Sequence, residues 1–144
     1  MTTTDPPSGG HFVVPAWWTE TAFNLNEISK FLGMPISTVS LYITFARTGG
    51  HVVGDTSGRR ATYSCADVFA LSLISKLRSR VPITAELVNA AFTFASENGR
   101  PRPVPYNGNW IVFEGEASLT VPAWLCWTAV RAWASKYFGT SHAE

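Results

Sequence analysis

The sequence predicts a mainly α fold, and three observations carry that expectation. Apolar residues recur at helical spacing across 24–33, 36–46, 64–78, 84–97 and 122–138. Two of these segments open on a polar pair three residues apart, Asn24 with Glu27 and Ser64 with Asp67. In such a pair each side chain satisfies the other residue's backbone N–H at the helix start. Strand-like runs are short and few: Val52-Val53 and Ala61-Thr62-Tyr63 around a glycine-bounded turn, and Trp110-Ile111-Val112-Phe113.

Taken in order, residues 1–20 form a tail and an arm. Met1 to Gly10 is rich in Thr, Pro and Gly with no apolar run, which predicts a flexible tail and not a targeting segment. Phe12 to Trp18 is aromatic but too short to stand alone, and is expected to pack onto the rest. The first helix, capped by Asn24, puts Leu25, Ile28, Phe31 and Leu32 on one face and ends at Gly33, where glycine tolerates a left-handed backbone. The second, from Ile36 to Ala46, is expected to bury Val39, Ile43 and Leu41. Its opposite face would display Ser37, Thr38, Ser40, Tyr42 and Arg47.

Gly54-Asp55-Thr56-Ser57-Gly58 reads as the turn of a small β-hairpin, with Arg59-Arg60 beside it. The third helix starts at the Ser64 cap and runs through Arg78, with Val68, Leu71, Ile74 and Leu77 on one face, until Pro82 stops it. Thr84 caps the fourth, whose core side is Leu87, Val88, Ala91, Phe92 and Ala95. Residues 98–108 carry Pro101, Pro103 and Pro105 at alternate positions and are expected to form an extended loop. A strand over 110–113, a turn over 114–118 and a last helix from Pro122 to Phe138 complete the chain. In that helix Cys126, Trp127, Val130, Trp133, Ala134, Tyr137 and Phe138 share one arc. So aromatic a face is expected to dock onto the core or onto a second subunit. Trp127, Val130, Trp133, Tyr137 and Phe138 are therefore the candidate dimerisation residues.

Two short helices, a basic turn and a supporting helix between Phe23 and Arg80 are the parts of a winged helix-turn-helix, which reads duplex DNA. On that reading 21–98 is the DNA-reading unit and 99–144 an extension that mediates dimerisation. Charge agrees with it. The whole chain of 144 residues carries only +1, but Phe23 to Arg102 holds nine Lys or Arg against five Asp or Glu, while the remainder holds two against five. The surplus lies on the segment that would meet phosphate.

Other classes find little support. Hydrophobic residues at 46% suffice for a core, yet no apolar run approaches the roughly 18 residues of a membrane span. Cys65 and Cys126 are too few and too far apart for a zinc site, and His11, His51 and His142 are scattered. No serine has a His and acid partner, and no glycine cluster has phosphate-loop spacing. Neither an enzyme, a metal nor a cofactor is expected, and the expected location is cytoplasmic and nucleoid-associated.

Residues 23–97 also resemble a known family. Phe23-Asn24-Leu25-Asn26-Glu27-Ile28-Ser29-Lys30-Phe31-Leu32-Gly33-Met34 is similar to the opening helix and glycine turn of MerR-type regulators. Gly58-Arg59-Arg60-Ala61-Thr62-Tyr63-Ser64-Cys65-Ala66-Asp67-Val68 looks like that family's wing, where Gly-Arg-x-Tyr-Ser leads into an Asp-containing helix. Leu73 to Leu77 continues the likeness, and Val81-Pro82-Ile83-Thr84 stands where the family turns into its fourth helix. The resemblance implies that the second helix lies in the major groove, with Ser37, Thr38 and Tyr42 meeting bases or phosphates. Arg59 and Arg60 would hold flanking phosphates or the minor groove, and Tyr63 would buttress the wing. Two departures stand out: Ser40 occupies a position where the family usually has Arg, and the family's long C-terminal coiled coil is replaced by the tryptophan-rich segment.

The expected function is a sequence-specific regulator of transcription, bacterial or phage-like, bound to double-stranded DNA as a homodimer. One rival is an excisionase-like or DNA-packaging protein that bends or marks a site. Another is an adaptor of winged fold that has lost DNA contact and binds protein through its tryptophans.

Overall fold

A helix with no polar side has to be enclosed, and the third helix of this chain is such a helix. The computed structural model describes residues 15–98, 109–113 and 119–138. Those residues form a mainly α fold of α1 (Leu25–Leu32), α2 (Ile36–Thr48), α3 (Cys65–Leu77), α4 (Ala85–Asn98), β1 (Trp110–Phe113), β2 (Leu119–Val121) and α5 (Ala123–Phe138). Around α3 pack α1, α4, α5 and β2. The sequence pattern predicts one buried face, yet Phe69, Ala70 and Leu73 are sealed as completely as Val68, Leu71, Ile74 and Leu77. Within α3 only Lys76 is exposed, and Ala66 and Ser75 are half-buried.

Both predicted capping pairs form. Glu27 N–H donates to Asn24 Oδ1 and Asn24 N–H to Glu27 Oε1, each at 2.9 Å; a cap of this kind contributes about 1 kcal/mol. At the far end of α1, Gly33 takes φ 68° and donates to the Ser29 carbonyl. Gly33, Met34 and Pro35 are the whole connection to α2, and the chain turns by 108° between the two axes.

Residues 15–18 of the aromatic arm pack as expected and settle against α5, while 12–14 lie outside the described residues. Trp17 stacks on Phe138 with centroids 4.8 Å apart, and Trp18 lies 5.4 Å from Trp127 and 6.2 Å from Phe69. Phe23 and Phe31 each sit 4.5 Å from Trp133. Of the two destinations open to the α5 face, the core takes it: Trp127, Val130 and Phe138 are buried within the chain. Only Trp133, half-buried, and Tyr137, exposed, keep solvent contact among the candidate dimerisation residues.

Two β features differ from expectation. The 52–63 segment is not a laddered hairpin. A single bridge, Asp55 to Thr62, closes its loop. The next rung does not form because the Val53 carbonyl accepts from Arg47 and the Ser64 N–H donates to Asp67. Tyr63 pairs on its other edge with Phe23 across two backbone hydrogen bonds of 3.0 and 2.7 Å. Val52, left without a strand partner, is 92% exposed. Conversely β2, which the sequence pattern does not predict, pairs antiparallel with β1, Trp110 opposite Val121. Arg80 anchors this pair below α3 by donating to the Thr120 carbonyl at 2.9 Å. The predicted tail (1–10), most of the proline loop and the 114–118 turn lie outside the described residues. Among the described residues, no single helix is long and apolar enough to cross a membrane.

Candidate nucleic-acid interface

Helix α2 buries Val39, Tyr42, Ile43 and Ala46, the i, i+3, i+4, i+7 stripe of an amphipathic helix. The displayed face is therefore Ser37, Ser40, Leu41, Thr44 and Thr48, with Thr38 half-buried at its margin. Two expectations are corrected here. Tyr42, at 6% exposure, belongs to the core because it stands three residues after Val39 and four before Ala46. Leu41 is displayed instead, 48% exposed. Leu41 and Thr44 are the residues that sequence reasoning missed, and their spacing from Ser37 and Ser40 was the available signal.

Arg47 is exposed but engaged. Its Nε and Nη2 donate to the Val53 carbonyl at 3.2 and 2.7 Å, and its guanidinium lies 6.0 Å from the Tyr63 ring centre. Arginine carries five N–H donors, so this clamp uses part of the group and stitches the end of α2 to the base of the 54–62 loop. Tyr63 is buried and paired with Phe23. Arg59 and Arg60 are exposed. Arg60 and Ala61 share a groove of about 370 Å³ with Asn24, Leu25, Asn26 and Ile36, which sets a loop guanidinium beside the start of α2. The structure thus sets Arg60 in one groove with Ile36 at the start of α2 and withdraws Tyr42 and Tyr63 into the core.

The loop is held by a buried carboxylate. Asp67 Oδ2 accepts from the backbone N–H of both Gly54 and Ser64, each at 3.0 Å. At the tip, Asp55 Oδ1 accepts from the N–H and the hydroxyl of Ser57 at 2.9 and 2.6 Å, and those bonds hold the Asp55 carboxyl below its usual range. Burial pushes the Asp67 carboxyl above its ordinary value of 3.8, only partly opposed by its bonds to Ser64 and Gly54 and by Arg47. The folded state then holds this proton more tightly than the unfolded chain does. The stabilisation is complete below pH 3.8 and is lost as pH rises through the raised value. Relative to an Asp67→Asn variant, the wild-type chain should lose stability across that window. Denaturant melts at a series of pH values would refute this if the difference stayed flat or grew.

The cysteines take no part in the interface. Burial, and secondarily the Asp67 carboxylate, pushes the Cys65 thiol up to about 12, and burial also raises Cys126. Such thiols stay protonated and unreactive near neutral pH. Among the described residues no three His, Cys, Asp or Glu side chains converge as a metal site would require.

Comparison with protein families, with curated proteins and with solved structures gives no match for this chain. What the interface does has to follow from its own chemistry.

Proposed function

We propose that the protein is a sequence-specific, DNA-binding regulator of transcription that acts as a dimer. Helix α2 would enter the major groove while the Arg59–Arg60 loop meets flanking phosphates. The observation that carries this reading is the α1–α2 corner: three connecting residues and a turn of 108°, within the roughly 90–120° of helix-turn-helix pairs. The face it presents has hydroxyls at Ser37 and Ser40, an apolar tip at Leu41 and no carboxylate to repel phosphate. Hydroxyls of this kind hydrogen-bond base edges or phosphates, and an apolar tip suits the thymine methyl group.

Affinity near ~10⁻⁸ M generally needs two half-sites and hence two copies. With Trp127, Val130 and Phe138 spent internally, self-association falls to the outer side of α5, where Leu125, Ala129 and Ala132 are exposed. The test selects bound fragments from random DNA, follows affinity against salt, and measures the solution mass alongside. Replacing Arg59 and Arg60 together by Ala should weaken binding to every sequence and lower the slope of log K against log salt by about two. An unchanged slope would remove the loop from the interface.

A second reading keeps the fold and exchanges DNA for a protein partner. Ile36, Leu41 and Val52 are 45%, 48% and 92% exposed, and the one cation on α2 is engaged by Val53. No retention on any DNA at low salt would favour that adaptor.

A further inference from the structure

A cleft of about 570 Å³ opens between α1 and α5, on a different part of the surface from the α2 face. The volume falls within the range of about 300–1,000 Å³ that suits a small organic ligand. Its wall is aromatic. Phe23 closes the base, Trp133 lies 4.5 Å from both Phe23 and Phe31, and Tyr137 stands 5.1 Å from Phe23 with 57% of its surface exposed. Tyr137, the exposed ring of the set, offers a face on which a planar molecule stacks.

Charge on the rim selects among planar molecules. Lys30, in the last turn of α1, and Lys136, in the last turn of α5, both border the cleft and are both exposed. Glu27 is the sole acid on the rim among the described residues, and its Oε1 already accepts the Asn24 backbone N–H at 2.9 Å. Two ammonium groups therefore face one occupied carboxylate, over an apolar wall. We propose that this cleft binds a small planar aromatic anion, an aryl carboxylate or sulfonate. The ring stacks on the exposed Tyr137 beside Trp133, and the acid group turns toward Lys30 and Lys136.

The inference does not depend on DNA binding and is read without DNA. The full chain is titrated calorimetrically with 2-naphthoate, with the neutral 2-naphthamide and with the cationic 2-naphthylmethylammonium. Naphthoate should bind one to one with a Kd on the order of 10⁻⁴ M, and the other two should bind about tenfold more weakly. The Lys30→Gln, Lys136→Gln double variant changes only exposed side chains. It should keep its melting temperature and lose the preference for the anion, while Tyr137→Ala should weaken all three ligands. No saturable heat with naphthoate, equal binding of the three probes, or an anion preference that survives the double lysine change would each overturn the proposal.

Discussion

Phe23→Ala is expected to cost about 3–5 kcal/mol of folding free energy and to lower the melting temperature by about 10–15 °C. Phe23 is 1% exposed and sits where three parts of the chain meet. Its ring lies 4.5 Å from Trp133, 5.1 Å from Tyr137 and 5.9 Å from Phe138, all on α5. Its backbone holds Tyr63 through the bridge described above, and it directly precedes the Asn24 cap of α1. Truncation empties the ring's space without freeing the backbone. The cavity then stays open, because the neighbouring rings belong to elements fixed elsewhere. A thermal melt followed by circular dichroism checks this; a fall below about 3 °C would mean that the site collapses and that Phe23 is not the junction.

Gly54→Ala should be the next most damaging small change, and Gly33→Ala gives its control. The two glycines have nearly the same backbone, φ 70° and 68°, so an added Cβ carries the same left-handed penalty of about 1 kcal/mol at each. They differ in space. A Cβ on Gly33 meets nothing within 4 Å, whereas on Gly54 it would lie 2.6 Å from the Tyr63 ring and 2.7 Å from the Thr62 carbonyl. Overpacking of that kind adds about 1–3 kcal/mol, for a total near 2–4 kcal/mol at Gly54. Relief would push the loop off Tyr63 and strain the Gly54 N–H bond to Asp67. Equal losses at the two positions, measured by denaturant unfolding, would show that the loop yields freely.

The helices were legible in the sequence because their signals are local. Asn24 with Glu27 and Ser64 with Asp67 each specify a helix start within four residues, and both pairs close as read. Signals that depend on distant partners were less legible. Val52-Val53 looks strand-like, but the one bridge that joins the two flanking runs is Asp55 to Thr62, and Tyr63 lies opposite Phe23. β2 has only Leu119, Thr120 and Val121, too few residues to show alternation, and exists because β1 lies beside it. In α2 the polar hydroxyl of Tyr42 disguised a residue whose position in the 3.6-residue period places its ring inside. The α5 arc was legible as a buried face; whether a neighbouring molecule or the arm would bury it was not, since Trp17 and Trp18 reach it from the opposite end of the chain.

The enclosure of α3 bears on how the molecule can be divided. A fragment ending at residue 98 would contain both helices of the corner, the arginine loop and all of α3, and by sequence it is the part that resembles a regulator. It would also leave the side of α3 that meets Cys126 of α5 at Ser72 without its cover, and Trp17 and Trp18 without Phe138 and Trp127. The part proposed to meet DNA is thus not a portable cassette. Any rearrangement that keeps it folded has to bring the tryptophan helix with it, so the two ends of the chain are expected to unfold in one cooperative step.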